Sequence, residues 1–350
     1  MKTNLIYVLI PALAGMLGAA CGGPSSGTAL SEAPIALTAD SIAIEQILIP
    51  WDWAVSRDRA VVQSTGTDSV FYVYSLPDFR FLYTWGRWGE GPDEFMGLSL
   101  ANASYGDTGA IVLHDSRRKS FRTFGVTDGP WEQTDSVPLP SVRASFNLLR
   151  ALPHRFVGEQ RIDWEKQTEY LYVRAPGAQG GLTDSLALKT WLESRQSSNG
   201  GGIIAFRRWN PAEIVVRGDK IAVMYRNFSH IDFYRLSPQG RLSFLSGTGE
   251  PIPDDALSQV KEMQTGFMAF SSTEKHLYAL RVTSDPLENE TSRPSIGETR
   301  LYAYDWTGRL ARVYALDHPA TDILVTADGK YLYTHNVTED FDRVYRYALR

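Results

Sequence analysis

The side chains best suited to recognition are concentrated in one short stretch of this sequence. Trp and Arg are the residue types most often found at binding hot spots, and interleaved glycines allow tight or left-handed turns. Trp85 and Phe95 have an alternative role, which is to pack as a wedge between two successive sheets, and this role is compatible with binding. We therefore predict a binding loop whose candidate residues are Trp85, Arg87, Trp88, Glu90 and Asp93.

Other residue types that commonly carry chemistry are scattered or absent. The six histidines do not occur at the His-x-x-x-His spacing of a metal-binding helix, and no Gly-x-Ser-x-Gly sequence marks a serine hydrolase. The chain has one cysteine, Cys21, so it cannot form an internal disulfide or a cysteine-based zinc site. The net charge is −5 with no basic block, which argues against nucleic acid as a partner.

The N-terminus has the pattern of a bacterial lipoprotein signal. Lys2 provides a positive end, and Leu5–Leu17 is an apolar stretch too short to span a bilayer. Gly18, Ala19 and Ala20 precede Cys21, which resembles a lipobox in which cleavage leaves a lipid-modified cysteine. We therefore predict a signal peptide over 1–20, lipidation at Cys21 and a flexible Gly/Pro/Ser-rich tether over 21–40.

The remaining chain, 41–350, repeats one β-hairpin unit. An alternating aromatic strand, a turn with Pro, Asp or Gly, and a second strand recur at 70–86, 231–247 and 300–315. Another pair of strands precedes each hairpin, which gives four antiparallel strands a unit. Units of this kind bury both faces only by stacking around an axis. The sequence therefore predicts an all-β fold, a six-bladed β-propeller in a single domain.

The two ends of the domain predict how the ring closes. The last unit offers only three strands, while 41–49 forms a strand without a partner of its own. Pairing this strand with the last blade removes two exposed edges. Two inserts, 184–196 and 254–264, have apolar residues at helical spacing after an Asp that could cap a helix, so we expect a helix in each.

The chain resembles the TolB-like six-bladed propeller lipoproteins of Bacteroidota and related bacteria. The family pattern Gly-x-x-Gly-x-Gly-Pro-x-Glu-Phe is matched by Gly86, Gly89, Gly91, Pro92, Glu94 and Phe95, in addition to the lipobox. Members are mostly uncharacterised, so the resemblance implies a fold and an envelope location on the periplasmic side or outer-membrane surface. It does not imply an activity.

The function predicted is that of a binding or scaffold module, non-enzymatic, monomeric and without cofactor, with an envelope protein or peptide as partner. A metal-dependent lactonase or lyase is the alternative, because propellers host both classes. Oxygen-rich side chains suit a divalent cation such as calcium, although Asp and Asn are also ordinary turn residues. The residues near predicted inner strands or rim loops that could serve are Asp52, Asn102, Asn227 and Asp322.

Overall fold

The computed structural model of this chain is a six-bladed β-propeller. Consecutive strands of each blade pair in order, and the pairing is antiparallel except for one short edge strand of blade one. The first strands of several neighbouring blades contact one another around the axis. The structure describes residues 33–44, 46, 50–64, 68–89, 94–95, 97–100, 109–139, 148–177, 179–195, 205–253, 256–260, 265–284, 296–337 and 342–350.

The strands are numbered along the chain, starting with two that precede the first blade. These are β1 (Ile35–Leu37) and β2 (Asp40–Ala43). Blade one contains β3 (Pro50–Ser56), β4 (Arg59–Ser64), β5 (Ser69–Ser75), β6 (Arg80–Trp88) and the short β7 (Glu94–Phe95). Blade two contains β8 (Leu98–Leu100), β9 (Ala110–Asp115), β10 (Ser120–Gly125) and β11 (Glu132–Pro138). Blade three contains β12 (Leu148–Ala151), β13 (Val157–Asp163), β14 (Thr168–Arg174) and β15 (Leu182–Ala187).

A separate two-stranded hairpin lies between blades three and four in the chain. It consists of β16 (Trp191–Arg195) and β17 (Ala205–Trp209). Blade four contains β18 (Ala212–Arg217), β19 (Lys220–Tyr225), β20 (His230–Leu236) and β21 (Leu242–Gly249). Blade five contains β22 (Thr265–Ser272), β23 (His276–Ser284), β24 (Ile296–Asp305) and β25 (Leu310–Leu316). Blade six contains β26 (Asp322–Val325), β27 (Tyr331–His335) and β28 (Arg343–Ala348).

The core is divided among the interfaces between blades. Central strands such as β5 are buried along nearly their whole length, because a neighbouring blade covers each face. A cluster of buried apolar side chains bridges each of the six pairs of adjacent blades, including the pair formed by blades six and one. The ring is therefore held together by the same kind of contact throughout.

The N-terminal segment closes the ring as the sequence predicts. β2 pairs antiparallel with β28 and supplies the fourth strand of blade six, and the carboxylate of Asp40 accepts a hydrogen bond from Arg346 at 2.9 Å. β1, inside the predicted tether, adds to blade five by parallel pairing with β25, and Leu37 is buried there. Ordered β-structure therefore begins before the predicted domain start at residue 41. The predicted signal peptide and Cys21 lie outside the described residues.

The predicted helix over 184–196 is wrong. This stretch ends β15 and then forms β16, whose residues Trp191–Arg195 pair with Trp209–Ala205. Leu188 and Leu192 have helical spacing, but each is buried at the end or the beginning of a strand. In the second insert, the helix α1 covers Leu257–Val260, and residues 254–255 and 261–264 lie outside the described part. No helix among the described residues is long and apolar enough to cross a membrane.

Candidate functional site

The predicted binding loop is divided between core and surface. The Trp85 ring stacks on Trp131 with centroids 4.2 Å apart, and it also contacts Phe95 and Phe124 at 5.2 and 5.1 Å. These rings belong to the cluster between blades one and two. Trp85 therefore acts as the wedge that the sequence offered as an alternative to binding.

The neighbouring loop residues differ from one another in exposure. Trp88 is half-buried and packs against the same cluster, whereas Arg87 is exposed. Gly86 has φ +75°, and a Cβ there would meet the Phe95 ring at 3.4 Å, so the turn favours glycine at this position. Glu90 and Asp93 lie outside the described residues. A binding role for this loop stays a prediction, with Arg87 as its exposed member.

A second candidate lies at the central channel, on the face from which each outermost strand connects to the next innermost strand. We call this the upper face. Innermost strands begin there, so Asp52 near the start of β3, Glu213 in β18 and Asp322 at the start of β26 meet at the same end of the channel. Arg226 follows β19 at that end. These four line a cavity of about 340 Å³, which we call the channel mouth.

Apolar side chains also line the channel mouth. They include Met268 and Phe270 from β22 and Ile323 from β26. A volume near 340 Å³ is within the range of roughly 300–1,000 Å³ for small-molecule sites, which usually combine apolar walls with a few polar groups. The channel mouth is therefore large enough for a small ligand with both polar and apolar parts.

The carboxyl groups of Asp52 and Asp322 have few partners. Each accepts a hydrogen bond, at 2.8 Å, from the backbone N–H of the next residue, and the carboxyl of Asp322 also interacts with the indole of Trp53. Within the described part of the chain neither forms an ion pair. Glu213, in contrast, is paired with Arg226 at 2.7 Å.

This environment disfavours ionisation of both unpaired carboxyls. Burial, and secondly repulsion from Asp322, raises the pKa of Asp52 to about 8. Burial raises the pKa of Asp322 to about 7, although hydrogen bonding from the backbone N–H of Ile323 and from the side chain of Trp53 opposes the change. Both side chains can therefore exchange protons near neutral pH.

Two further polar groups, one in the wall of the channel mouth and one beside it, have poorly satisfied hydrogen-bond donors. Arg150 on β12 is within electrostatic range of Glu213 and Asp52, yet its buried Nε has no partner and the guanidinium forms no ion pair with any described residue. Burial lowers the pKa of Arg150. The indole Nε1–H of Trp53, a residue only 4% exposed, forms no hydrogen bond of normal geometry with a described residue, but it is close enough to Asp322 to lower the pKa of that carboxyl.

The inserted hairpin is joined to the upper face close to these groups. Arg208 of β17 pairs with the buried Glu169 of β14 at 3.1 Å, and Gln160 donates a hydrogen bond to the same carboxylate at 3.3 Å. Burial raises the pKa of Glu169, whereas the charge of Arg208 opposes that change. The hairpin therefore satisfies one acidic side chain of the channel region and leaves Arg150 unpaired.

The oxygen-rich residues considered for a metal are only partly brought together. Asp52 and Asp322 line the same cavity. Asn227 instead exchanges hydrogen bonds with Asn210, each side-chain oxygen accepting from the other backbone N–H at 2.9 and 3.1 Å. Asn102 lies outside the described residues. Over the described ranges, no three His, Cys, Asp or Glu side chains are grouped in a way that could hold a metal ion.

A buried histidine near the upper face is fully engaged by its neighbours. The two ring nitrogens of His230 contact the backbone oxygen of Glu250 and the carboxylate of Asp232, both at 2.9 Å. Lys189 donates to the same carboxylate at 2.8 Å. These contacts give His230 a structural role in joining strands β20 and β21.

Comparisons with known proteins found no matching family model and no matching curated protein. Among solved structures, a protein from Lactobacillus plantarum is similar at 13% identity and TM-score 0.40, over 91% of this chain and 81% of that one. A luciferin-regenerating enzyme is similar at 11% identity and TM-score 0.45, over 89% and 95%. The WD40 repeats of RRP9 are similar at 10% identity and TM-score 0.42, over 89% and 98%. The assignment as a six-bladed propeller rests on the chain's own strand order.

Proposed function

We propose that this protein is a binding module of the cell envelope, anchored by lipid at Cys21 and related to the TolB-like propeller lipoproteins. The ligand enters the channel mouth on the upper face. The observation that carries this proposal is the presence there of Asp52 and Asp322 without ion-pair partners among the described residues, with the equally unpaired Arg150 within electrostatic range of Asp52.

These unpaired groups are costly for the fold alone. Removing a charged group from water without a partner destabilises the fold, and apolar residues of similar size usually stabilise such a site better. Side chains whose pKa is strongly perturbed in a cleft are found preferentially at functional sites. A bound ligand that neutralises these groups would remove this cost.

Binding is tested by thermal unfolding of the mature domain in the presence of amines, carboxylates, neutral sugars and amino acids at millimolar concentration. A ligand at 100 times its dissociation constant stabilises the folded state by about 2.7 kcal/mol. We expect at least one class to raise the melting temperature, and the Asp52→Asn/Arg150→Gln double variant to lose the effect. The matched control is Asp135→Asn/Arg155→Gln. It removes an ion pair on the outer strand of blade two, in which the guanidinium and the carboxylate are 2.7 Å apart. If no class changes the melting temperature of the parent protein, the binding proposal is wrong.

The anchor is tested separately by replacing Cys21 with Ser. We expect the wild-type protein to fractionate with membranes and the Cys21→Ser variant to become soluble, because the thiol is the attachment point of the lipid. A variant that is still processed and membrane-bound contradicts the anchor. The result for the channel mouth is independent of this one.

A further inference from the structure

We propose that the channel mouth binds a zwitterion, with the ammonium group of an α-amino acid or short peptide at Asp52 and Asp322 and the carboxylate at Arg150. This inference rests on the proposed binding function and names its class of ligand. Four observations support it: the two carboxyls, the guanidinium, the indole N–H and the apolar lining residues.

The acidic half of the site comes from blades one and six, which meet where the ring closes. One oxygen of each carboxyl, in Asp52 and in Asp322, accepts from a backbone N–H, and no described cation pairs with either group. An ammonium group has three donors and a compact charge, so it can bond to both carboxyls at once. Because burial raises the pKa of both carboxyls, a bound cation also relieves the cost of ionising them.

The basic half comes from blade three. The guanidinium of Arg226 is held by Glu213. Arg150 lies beside the channel mouth, within electrostatic range of Asp52 and Glu213, and has no ion pair with a described residue. The planar fork of a guanidinium matches a carboxylate with two parallel hydrogen bonds. A ligand carboxylate would therefore satisfy Arg150, including its buried Nε.

The indole N–H of Trp53 is a further donor in the wall of the cavity, and it interacts with Asp322 without a hydrogen bond of normal geometry. A ligand oxygen that accepts from this N–H would satisfy it. The apolar residues Met268, Phe270 and Ile323 also line the cavity and suit an aliphatic side chain. The cavity has room for a molecule of the size of an amino acid or dipeptide.

Ligands with a single charge satisfy only part of this site. An amine leaves the guanidinium of Arg150 unpaired, and a carboxylate is repelled by Asp52 and Asp322 when these are ionised. A zwitterion meets both requirements and adds no net charge to the channel. We therefore expect zwitterions to bind more tightly than amines or carboxylates with the same carbon skeleton.

The test uses calorimetric titration of the mature domain with the twenty standard amino acids and dialanine, followed by matched analogues of the best ligand. For leucine the analogues are 3-methylbutylamine and 4-methylpentanoate, which lack the carboxylate and the ammonium group respectively. We expect each analogue to bind at least tenfold more weakly than the zwitterion. If an analogue binds as tightly as its parent, the zwitterion inference is wrong while the binding function stands. If no zwitterion binds, the inference is also wrong, and the wider thermal panel decides the binding function.

Two substitutions test which residues bind the carboxylate and which bind the ammonium group of the ligand. Arg150→Gln should remove the preference for leucine over 3-methylbutylamine, and Asp322→Asn should remove the preference for leucine over 4-methylpentanoate. Arg155→Gln is the matched control, because Arg155 pairs with Asp135 on the outer strand of blade two. Each variant is compared only if its melting temperature shows that it is folded. The analogue series on the parent protein requires no variant. Unchanged preferences in both folded variants would overturn the proposed arrangement.

Discussion

Replacing Asp52 by Asn should stabilise the protein at alkaline pH, and the gain should be smaller at pH 5. The pKa of Asp52 is raised from 3.8 to about 8. In the unfolded chain this carboxyl loses its proton near pH 4, but in the folded protein it keeps the proton until about pH 8. Unfolding in that interval therefore releases a proton, and the folded state loses stability as the pH rises from about 4 to about 8.

The magnitude follows from the two pKa values. Each pH unit between them corresponds to about 1.4 kcal/mol, so a dry site would lose about 6 kcal/mol over the interval. Asp52 is only half-buried and lines a cavity wide enough for water, which relieves most of that cost. We therefore expect a loss of about 2 kcal/mol in the free energy of unfolding. The charged groups facing Asp52 are Asp322, Glu213 and Arg150, and Asn at position 52 can still accept the backbone hydrogen bond of Trp53.

The assay is thermal unfolding of both proteins at pH 5 and pH 8.5. A gain of about 2 kcal/mol corresponds to roughly 3–4 °C for a domain of this size. Asp135→Asn is the control of opposite sign, because the Arg155 guanidinium holds the pKa of Asp135 below its usual value. That variant should be less stable than the parent at both pH values. An Asp52→Asn protein with the same pH profile as the parent would refute the reasoning.

The remaining predictions concern the two ends of the domain and the Trp–Gly loop. Deleting 22–33 should leave the melting temperature unchanged. Deleting 22–43 removes β1 and β2 together with Leu37, whose burial alone is worth about 1.5–3 kcal/mol, and should lower the melting temperature. Equal melting temperatures for the two truncated proteins would contradict the observed closure. Trp85→Ala should cost about 3–5 kcal/mol in unfolding experiments, since its ring contacts four other aromatic rings. Arg87→Ala should change stability by less than about 0.5 kcal/mol, and a large loss would show that Arg87 is not at the surface.

The hairpin pattern of the sequence was sufficient to predict the blades, because each one consists of strands adjacent in the chain. The stretch 70–86, for example, forms β5 and β6 as expected. Residues 184–196 were misread as helix because β16 depends on β17, a partner that local spacing does not reveal. Apolar residues three and four apart are ambiguous when a strand ends and another begins between them.

The channel mouth was harder to predict than the fold. Asp52 and Asp322 could be placed near inner strands from the sequence, but whether they face one cavity depends on ring closure. No sequence signal identifies Arg150, Trp53 and Glu213, because their residue types and spacings are ordinary. What distinguishes them is whether each has an ion-pair or hydrogen-bond partner in the folded chain. Only the three-dimensional arrangement shows which of them are satisfied.

The pairing of β1 and β2 with blades five and six has a consequence for the order of events during synthesis. Ile35 and Asp40 pair with Tyr314 and Arg346, which are synthesised much later. The first strands made are therefore among the last to be paired. Synthesis proceeds at roughly 5–20 residues per second, which leaves these strands without partners for tens of seconds. Blades one to four can form in that time from neighbouring strands, but Asp52 meets Asp322 only when the last blade docks. The channel mouth is thus completed only in the final folding step, and an incomplete chain lacks the proposed ligand site.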